Sequence, residues 1–154
     1  MIDADAILDG TDWAELGHAY GSAEDVPERL RALLSEDEGQ IAEVWDDLAN
    51  ALTHQESVYP ATAPAALFVA AILTDPRTDV RFQGRPLRAE LIDWLEIVAA
   101  GAIEAGDEFD EPGIAECTAV IPQLRESVTA LAGDPDESIR ESAETFLETT
   151  ADEE

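Results

Sequence analysis

Ile41, Val44, Trp45, Leu48 and Leu52 stand at steps of i, i+3, i+4, i+7 and i+11. A helix puts that spacing on one side of its cylinder, whereas a strand, with its period of two, scatters it over both faces. The same period recurs along the chain, and no segment sustains an alternation of β-branched residues. The fold this predicts is all-α, about seven helices joined by short loops.

The first predicted helix runs from Asp12 to Tyr20 with Trp13 and Leu16 inward, and Gly21 ends it. Ser22 and Asp25 have capping-box spacing for a second, which carries Val26, Leu30, Leu33 and Leu34, with Pro27 in its first turn. Ser35 and Glu38 repeat the box ahead of the third. The fourth, from Pro60 or Thr62 to Leu73, is apolar nearly all round and reads as the most buried; Asp75 and Pro76 stop it. Residues 75–86 read as irregular or a single turn. A fifth helix aligns Leu87, Leu91, Trp94, Leu95, Val98 and Ala102. A sixth aligns Ile114, Cys117, Ile121, Leu124, Val128 and Leu131, with a kink or boundary expected at Pro122. Asp134, Pro135 and Glu137 open a seventh, with Ile139, Ala143, Phe146 and Leu147 inward. One domain over 1–148 is expected, followed by an acidic tail over 149–154.

Charge limits function more than fold. The 154 residues hold 36 Asp and Glu against 8 positive residues, all Arg, for a net charge of −28. That field repels DNA, RNA and anionic membranes, so a direct nucleic-acid or membrane partner is not expected. One cysteine excludes an intramolecular disulfide and a multi-cysteine zinc site. The most apolar stretch, 61–73, is shorter than the roughly 20 residues of a bilayer span, and the acidic start does not read as a secretory leader. A cytoplasmic location is the expectation. Two plain accounts of the charge stand beside any binding role: a GC-rich coding bias, and a salt-loving host that favours acidic, Lys-poor surfaces.

The stretch from Asp134 to Leu147 resembles a HEAT-type repeat, in which an Asp-Pro is followed by an aliphatic residue, an Arg, and a small residue four positions after the aliphatic; Ile139, Arg140 and Ala143 fill those places. The resemblance implies that Arg140 reaches an acceptor on an adjacent repeat. Asp75, Pro76, Arg77, Thr78, Asp79, Val80 and Arg81 look like a second copy of the opening, broken by Gly84 and Pro86. The two Asp-Pro pairs lie 59 residues apart, beyond the roughly 40–47 of one unit. The whole chain is similar to a group of bacterial HEAT-like proteins through Trp13, Leu16, Tyr20, Gly21, Asp25-Val26-Pro27, Trp45, Leu48, His54, Gln55, Tyr59 and Ala61. It departs from them at Glu56, where Gly is expected, and at Ala66-Leu67, where an aliphatic-Pro pair is expected. The resemblance implies a short HEAT-like α-α superhelix and a scaffold for protein contacts.

Glu15 and His18 have the Glu-x-x-His step of half a di-iron site, without the second pair such a site needs. His54, Gln55 and Tyr59 cluster at one turn, where they can satisfy orphan helix-end groups or meet a partner; no nucleophile motif or phosphate loop accompanies them. Cys117 and the three tryptophans fit core stripes. Arg77, Arg81, Arg85 and Arg88 concentrate half the positive charge around one linker, either to neutralise nearby carboxylates or to face a partner. No cofactor and no catalytic or metal-binding residues are assigned. The expected function is a non-enzymatic protein-protein interaction module: an acidic HEAT-like solenoid that binds a basic protein, in one version an immunity protein neutralising a basic toxin. Partner contact is placed on Asp46, Asp47, His54, Gln55, Glu56, Tyr59, Arg81 and Arg85. The alternatives are a nucleic-acid mimic that inhibits a DNA- or RNA-binding protein, and a generic acidic scaffold of halophilic type.

Overall fold

A computed structural model describes residues 4–18, 21–35, 37–53, 58–82, 84–105 and 113–151. Among them the protein is all-α, with seven helices: α1 Ala4–Gly10, α2 Val26–Ala32, α3 Glu38–Leu52, α4 Thr62–Ile72, α5 Leu87–Ala105, α6 Ile114–Thr129 and α7 Glu137–Thr149. Two antiparallel hairpins of two-residue strands interrupt the series. β1 Gly17–His18 pairs with β2 Gly21–Ser22, and β3 Arg81–Phe82 with β4 Arg85–Pro86.

The long helices follow the apolar stripes. In α3, Ile41, Trp45, Leu48 and Leu52 are buried, while Val44 at the stripe's edge is half-buried. In α4 every residue except Pro64, Leu67 and Ala71 is buried, because α1, α2, α5 and α6 all pack around it. α5 is the second hub. It lies against α4, α6 and α7 and buries Leu87, Leu91, Trp94, Leu95, Val98 and Ala102. Trp45 of α3 and Trp94 of α5 meet edge to face with centroids 5.4 Å apart. Their indole nitrogens, which would be costly to bury unpaired, donate to Glu90 (3.3 Å) and to the Thr53 hydroxyl (3.1 Å).

Several boundaries differ from expectation. Residues 12–18 form no α-helix: Trp13–Glu15 is a 3-10 turn, Leu16 is extended, and Gly17–His18 enters β1. The first α-helix lies earlier, at 4–10, locked when the Trp13 indole donates to the Leu8 carbonyl at 3.2 Å. Ser22 does not cap α2; its hydroxyl donates to Ala14 O and accepts from Glu24 N. Asp37, not Ser35, caps α3 by accepting from the Gly39 and Gln40 amides. Asp136, not Asp134, caps α7. Neither Asp-Pro pair opens an α-helix: Asp75 accepts from the Arg77 amide and caps the 3-10 turn Pro76–Thr78, and Asp134 accepts from the Asp136 amide in a tight turn. α6 runs unbroken through Pro122. That residue and Thr118, whose carbonyl loses its amide partner, are both exposed, so water can take the vacant bond. α7 includes Thr149, and Thr150 beyond it is buried, where its hydroxyl accepts from Arg125.

Candidate functional site

Asp47, one of the predicted contact residues, lines a polar groove. It is exposed on α3, one turn from Asn50. The two face the β1–β2 hairpin and the start of α2 across a groove of about 420 Å³, whose other polar walls are His18, Ser22, Asp25 and Arg29. Asp25 is the centre of charge there. Its Oδ2 lies 3.2 Å from Arg29 Nη2, an i, i+4 pair on α2, and its Oδ1 lies 3.7 Å from His18 Nε2. The His18 side chain is 8% exposed, so its ring fills the floor. Asp25 Oδ1 is buried with no hydrogen-bond partner. A carboxylate oxygen in that condition can take another donor, whether from a closer imidazole or from a visiting cation. The Ser22 hydroxyl donates to Ala14 O, so its proton is committed to the backbone. The arrangement suits the reception of positive groups more than covalent chemistry.

The other predicted residues fall apart from this groove. Asp46 is exposed on α3, about a quarter turn from Asp47. Tyr59 is half-buried, and its amide donates to the Thr62 hydroxyl (2.9 Å), which in turn donates to Leu52 O (2.6 Å). His54, Gln55 and Glu56 lie outside the described residues. Arg81 lines a second groove of about 330 Å³ with Arg88, Asp79, Asp134 and Asp136. Arg85 is drawn inward: Nη1 donates to Asp93 (2.8 Å) and Glu90 (3.4 Å), and Nη2 to the Ser142 hydroxyl (3.4 Å), which ties β4 to α5 and α7. Arg140 bonds the carbonyls of Asp134 and Pro135 in the loop just before its own helix, not another helical unit.

The remaining arginines are also engaged within the chain. Arg77 closes a two-pronged pair on Asp75, whose carboxyl is held below its ordinary value chiefly by that side-chain bond and then by the Arg77 amide. The same pairing raises the Arg77 guanidinium. Arg88 donates to the Thr78 hydroxyl and Asp75 O, Arg125 to Leu147 O and Thr150, and Arg31 reaches Asp9 at 3.7 Å. Arg81 has an interaction of its own. Asp25, Arg29 and Asn50 are not among the expected contact residues, nor is the exposed ladder Glu137, Glu141, Glu144 and Glu148 on α7. The Asp25–Arg29 spacing was the available signal for the first pair; the ladder's i, i+4, i+7, i+11 steps were the signal for the second.

Glu15 and His18 do not share a helix face, since the turn ends between them. Among the described residues no three His, Cys, Asp or Glu side chains gather as a metal set. Cys117 is buried in the α6 seam, where desolvation first and Glu116 second push its thiol up to about 12. No helix among the described residues is long and apolar enough to cross a membrane. Comparison with protein-family models, with curated proteins and with solved structures finds no match to this chain.

Proposed function

We propose that this protein is a non-enzymatic binding module, a HEAT-like helical scaffold whose acidic exterior receives a basic protein partner. One observation carries the reading: every one of the eight arginines is engaged within the chain, while Asp46, Asp47 and the α7 ladder stand exposed with no ion pair to a described residue. Even if each arginine neutralised one carboxylate, 28 negative charges would remain for the solvent or a partner. Such a field steers cationic proteins to the surface and raises their association rate, and the grooves then select by shape. A basic toxin covered by an immunity protein is one partner of this kind.

The test is binding to a panel of basic ribonucleases and deoxyribonucleases, with cytochrome c and lysozyme as charge controls. A specific partner binds one to one more tightly than the controls and retains affinity at about 0.15 M salt, where the Debye length is about 8 Å. Asp46→Asn with Asp47→Asn slows its association. If every basic protein binds alike and all are released at that salt, the reading is wrong.

The spread of unpaired carboxylates over α3, α6 and α7, rather than one face, favours a second reading in which the charge serves solubility in brine. Simple screening is nearly complete once the Debye length reaches about 3 Å at 1 M. A brine-adapted fold continues to gain stability above that concentration, and a level unfolding midpoint there removes this reading.

A further inference from the structure

α4 is more apolar than α3, α5, α6 or α7, yet one strip of it is left uncovered. Pro64, Leu67 and Ala71 are its half-buried positions, and with exposed Thr74 they span an arc of about 80° at 100° per residue. Leu67, Ala71 and Thr74 of the strip, with Ala70, floor a groove of about 430 Å³. Ile7 of α1 closes one side. On the other, α6 and its C-cap present Gln123, Glu126, Ser127 and Ala130, again at i, i+3, i+4 and i+7. Two helical ridges with this step are complementary to the anchors of a third helix laid between them. Alanines at 71 and 130 allow its backbone to approach closely.

The lining narrows the occupant. No polar atom buried in this groove lacks a hydrogen-bond partner among the described residues, so nothing in it requires a polar small molecule. Among the described residues no cation lines it, and Glu126 stands exposed on its wall. A second copy would bring a further net charge of −28 to that rim. We infer that the α1–α4–α6 groove docks an amphipathic helix of a partner protein, with an apolar stripe on Leu67, Ala71 and Ile7 and Lys or Arg beside the stripe against Glu126. This rests on the basic-partner reading and names the element of the partner that is gripped.

The probe is a synthetic leucine–lysine amphipathic peptide of about five helical turns, with its leucine–glutamate counterpart as control. Backbone amide shifts map its position and fluorescence anisotropy gives its affinity. The expected result is shifts centred on Leu67, Ala71, Glu126, Ser127 and Ala130, with no binding of the glutamate peptide. Ala71→Trp fills the floor and Ala130→Arg places a cation at an exposed wall position that leaves the core untouched; each weakens the lysine peptide by about tenfold or more. Asp46→Asn with Asp47→Asn leaves it within about twofold. Shifts scattered over α3 and α7, or affinity unchanged by both groove variants, overturn the docking site. The two ideas separate cleanly. A basic protein that passes the panel test yet binds Ala71→Trp like the unmutated chain keeps the broader reading and refutes this one; a peptide seated in the groove with no specific protein in the panel does the reverse.

Discussion

Gly113 opens α6 with φ of 102°, a left-handed conformation, and its α-carbon faces the turn before α4. A Cβ added there would sit 2.5 Å from the Tyr59 carbonyl carbon, 2.6 Å from its oxygen and 2.9 Å from Pro60 N. Those are backbone atoms in a tied segment. The Tyr59 amide donates to Thr62, the Thr62 amide donates back to Tyr59 O at 2.9 Å, and the Ala61 amide reaches Gly17 O at 3.1 Å. For Gly113→Ala the left-handed φ costs about 1–2 kcal/mol. Relieving the contact means moving one of two fixed segments, at the expense of one or two hydrogen bonds worth about 1 kcal/mol each. The sum is about 2–4 kcal/mol, and with a urea m-value of about 2 kcal/mol/M it lowers the unfolding midpoint by about 1–2 M. Two glycines serve as controls. Gly84 has φ of 87° but nothing within 4 Å of its Cβ, so Gly84→Ala should cost only the backbone share of about 1 kcal/mol. Gly133 has neither handicap, and Gly133→Ala should be neutral or stabilise by about 0.5 kcal/mol. Near-UV circular dichroism follows all three. Equal losses for Gly113→Ala and Gly84→Ala would show that the close approach to Tyr59 is not there.

Cys117, buried and with its thiol raised to about 12, should resist a thiol reagent in the native protein and react only at the rate of unfolding, so fast labelling without denaturant contradicts its placement. Asp75, with a carboxyl held below its ordinary 3.8 by Arg77, stabilises the fold fully above that value and loses its contribution as pH falls through the lower native value. The stability gap between the unmutated chain and Asp75→Ala should therefore be about 1 kcal/mol at pH 6 and shrink below about pH 4; a gap that widens on acidification reverses the sign. Thr150→Val, which keeps shape but removes the hydroxyl between Arg125 and Phe146 O, should cost about 1–2 kcal/mol in chemical unfolding. No loss there would mean that the packed chain ends at α7.

The stripes that rest on several large residues were legible in the sequence. Leu87 to Ala102 and Ile114 to Leu131 are buried where their spacing predicts, because tertiary packing and helical period agree over four turns or more. The short first element was misread. Trp13 and Leu16 have helical spacing, but two positions cannot establish a period, and Gly17 and Gly21 let the chain enter a hairpin instead. Caps slipped by two positions where several candidates compete. Asp37 (ψ 104°) and Asp136 (ψ 122°) hold the extended backbone that a cap requires, whereas Ser35 and Asp134 use their oxygens on the amide two residues on. The polar groove was invisible for another reason. His18, Asp25 and Asp47 come from three elements, and no local spacing records that a hairpin folds back on α3.

The four linker arginines show what the folded chain adds to a charge count. In sequence they form a single cluster, yet in the structure three of them have separate structural duties: Arg77 closes the Asp75 turn, Arg88 holds that turn through Thr78, and Arg85 joins β4 to α5 and α7. Where acids are densest, beyond residue 106, the two arginines present make no ion pair with a described carboxylate; Arg125 and Arg140 donate to carbonyls and a hydroxyl. In this most acidic stretch the cations close backbone acceptors, while the ion pairs to described carboxylates fall earlier, on Arg29, Arg31, Arg77 and Arg85. The consequence is a fold that bears uncompensated repulsion over α3 and α7. A partner that supplies cations to those faces relieves the repulsion as it binds, so recognition and stabilisation become one linked equilibrium. Dissolved salt relieves the same repulsion without shape. The rise in unfolding midpoint caused by a true partner must therefore exceed that of salt alone, and must saturate at one equivalent.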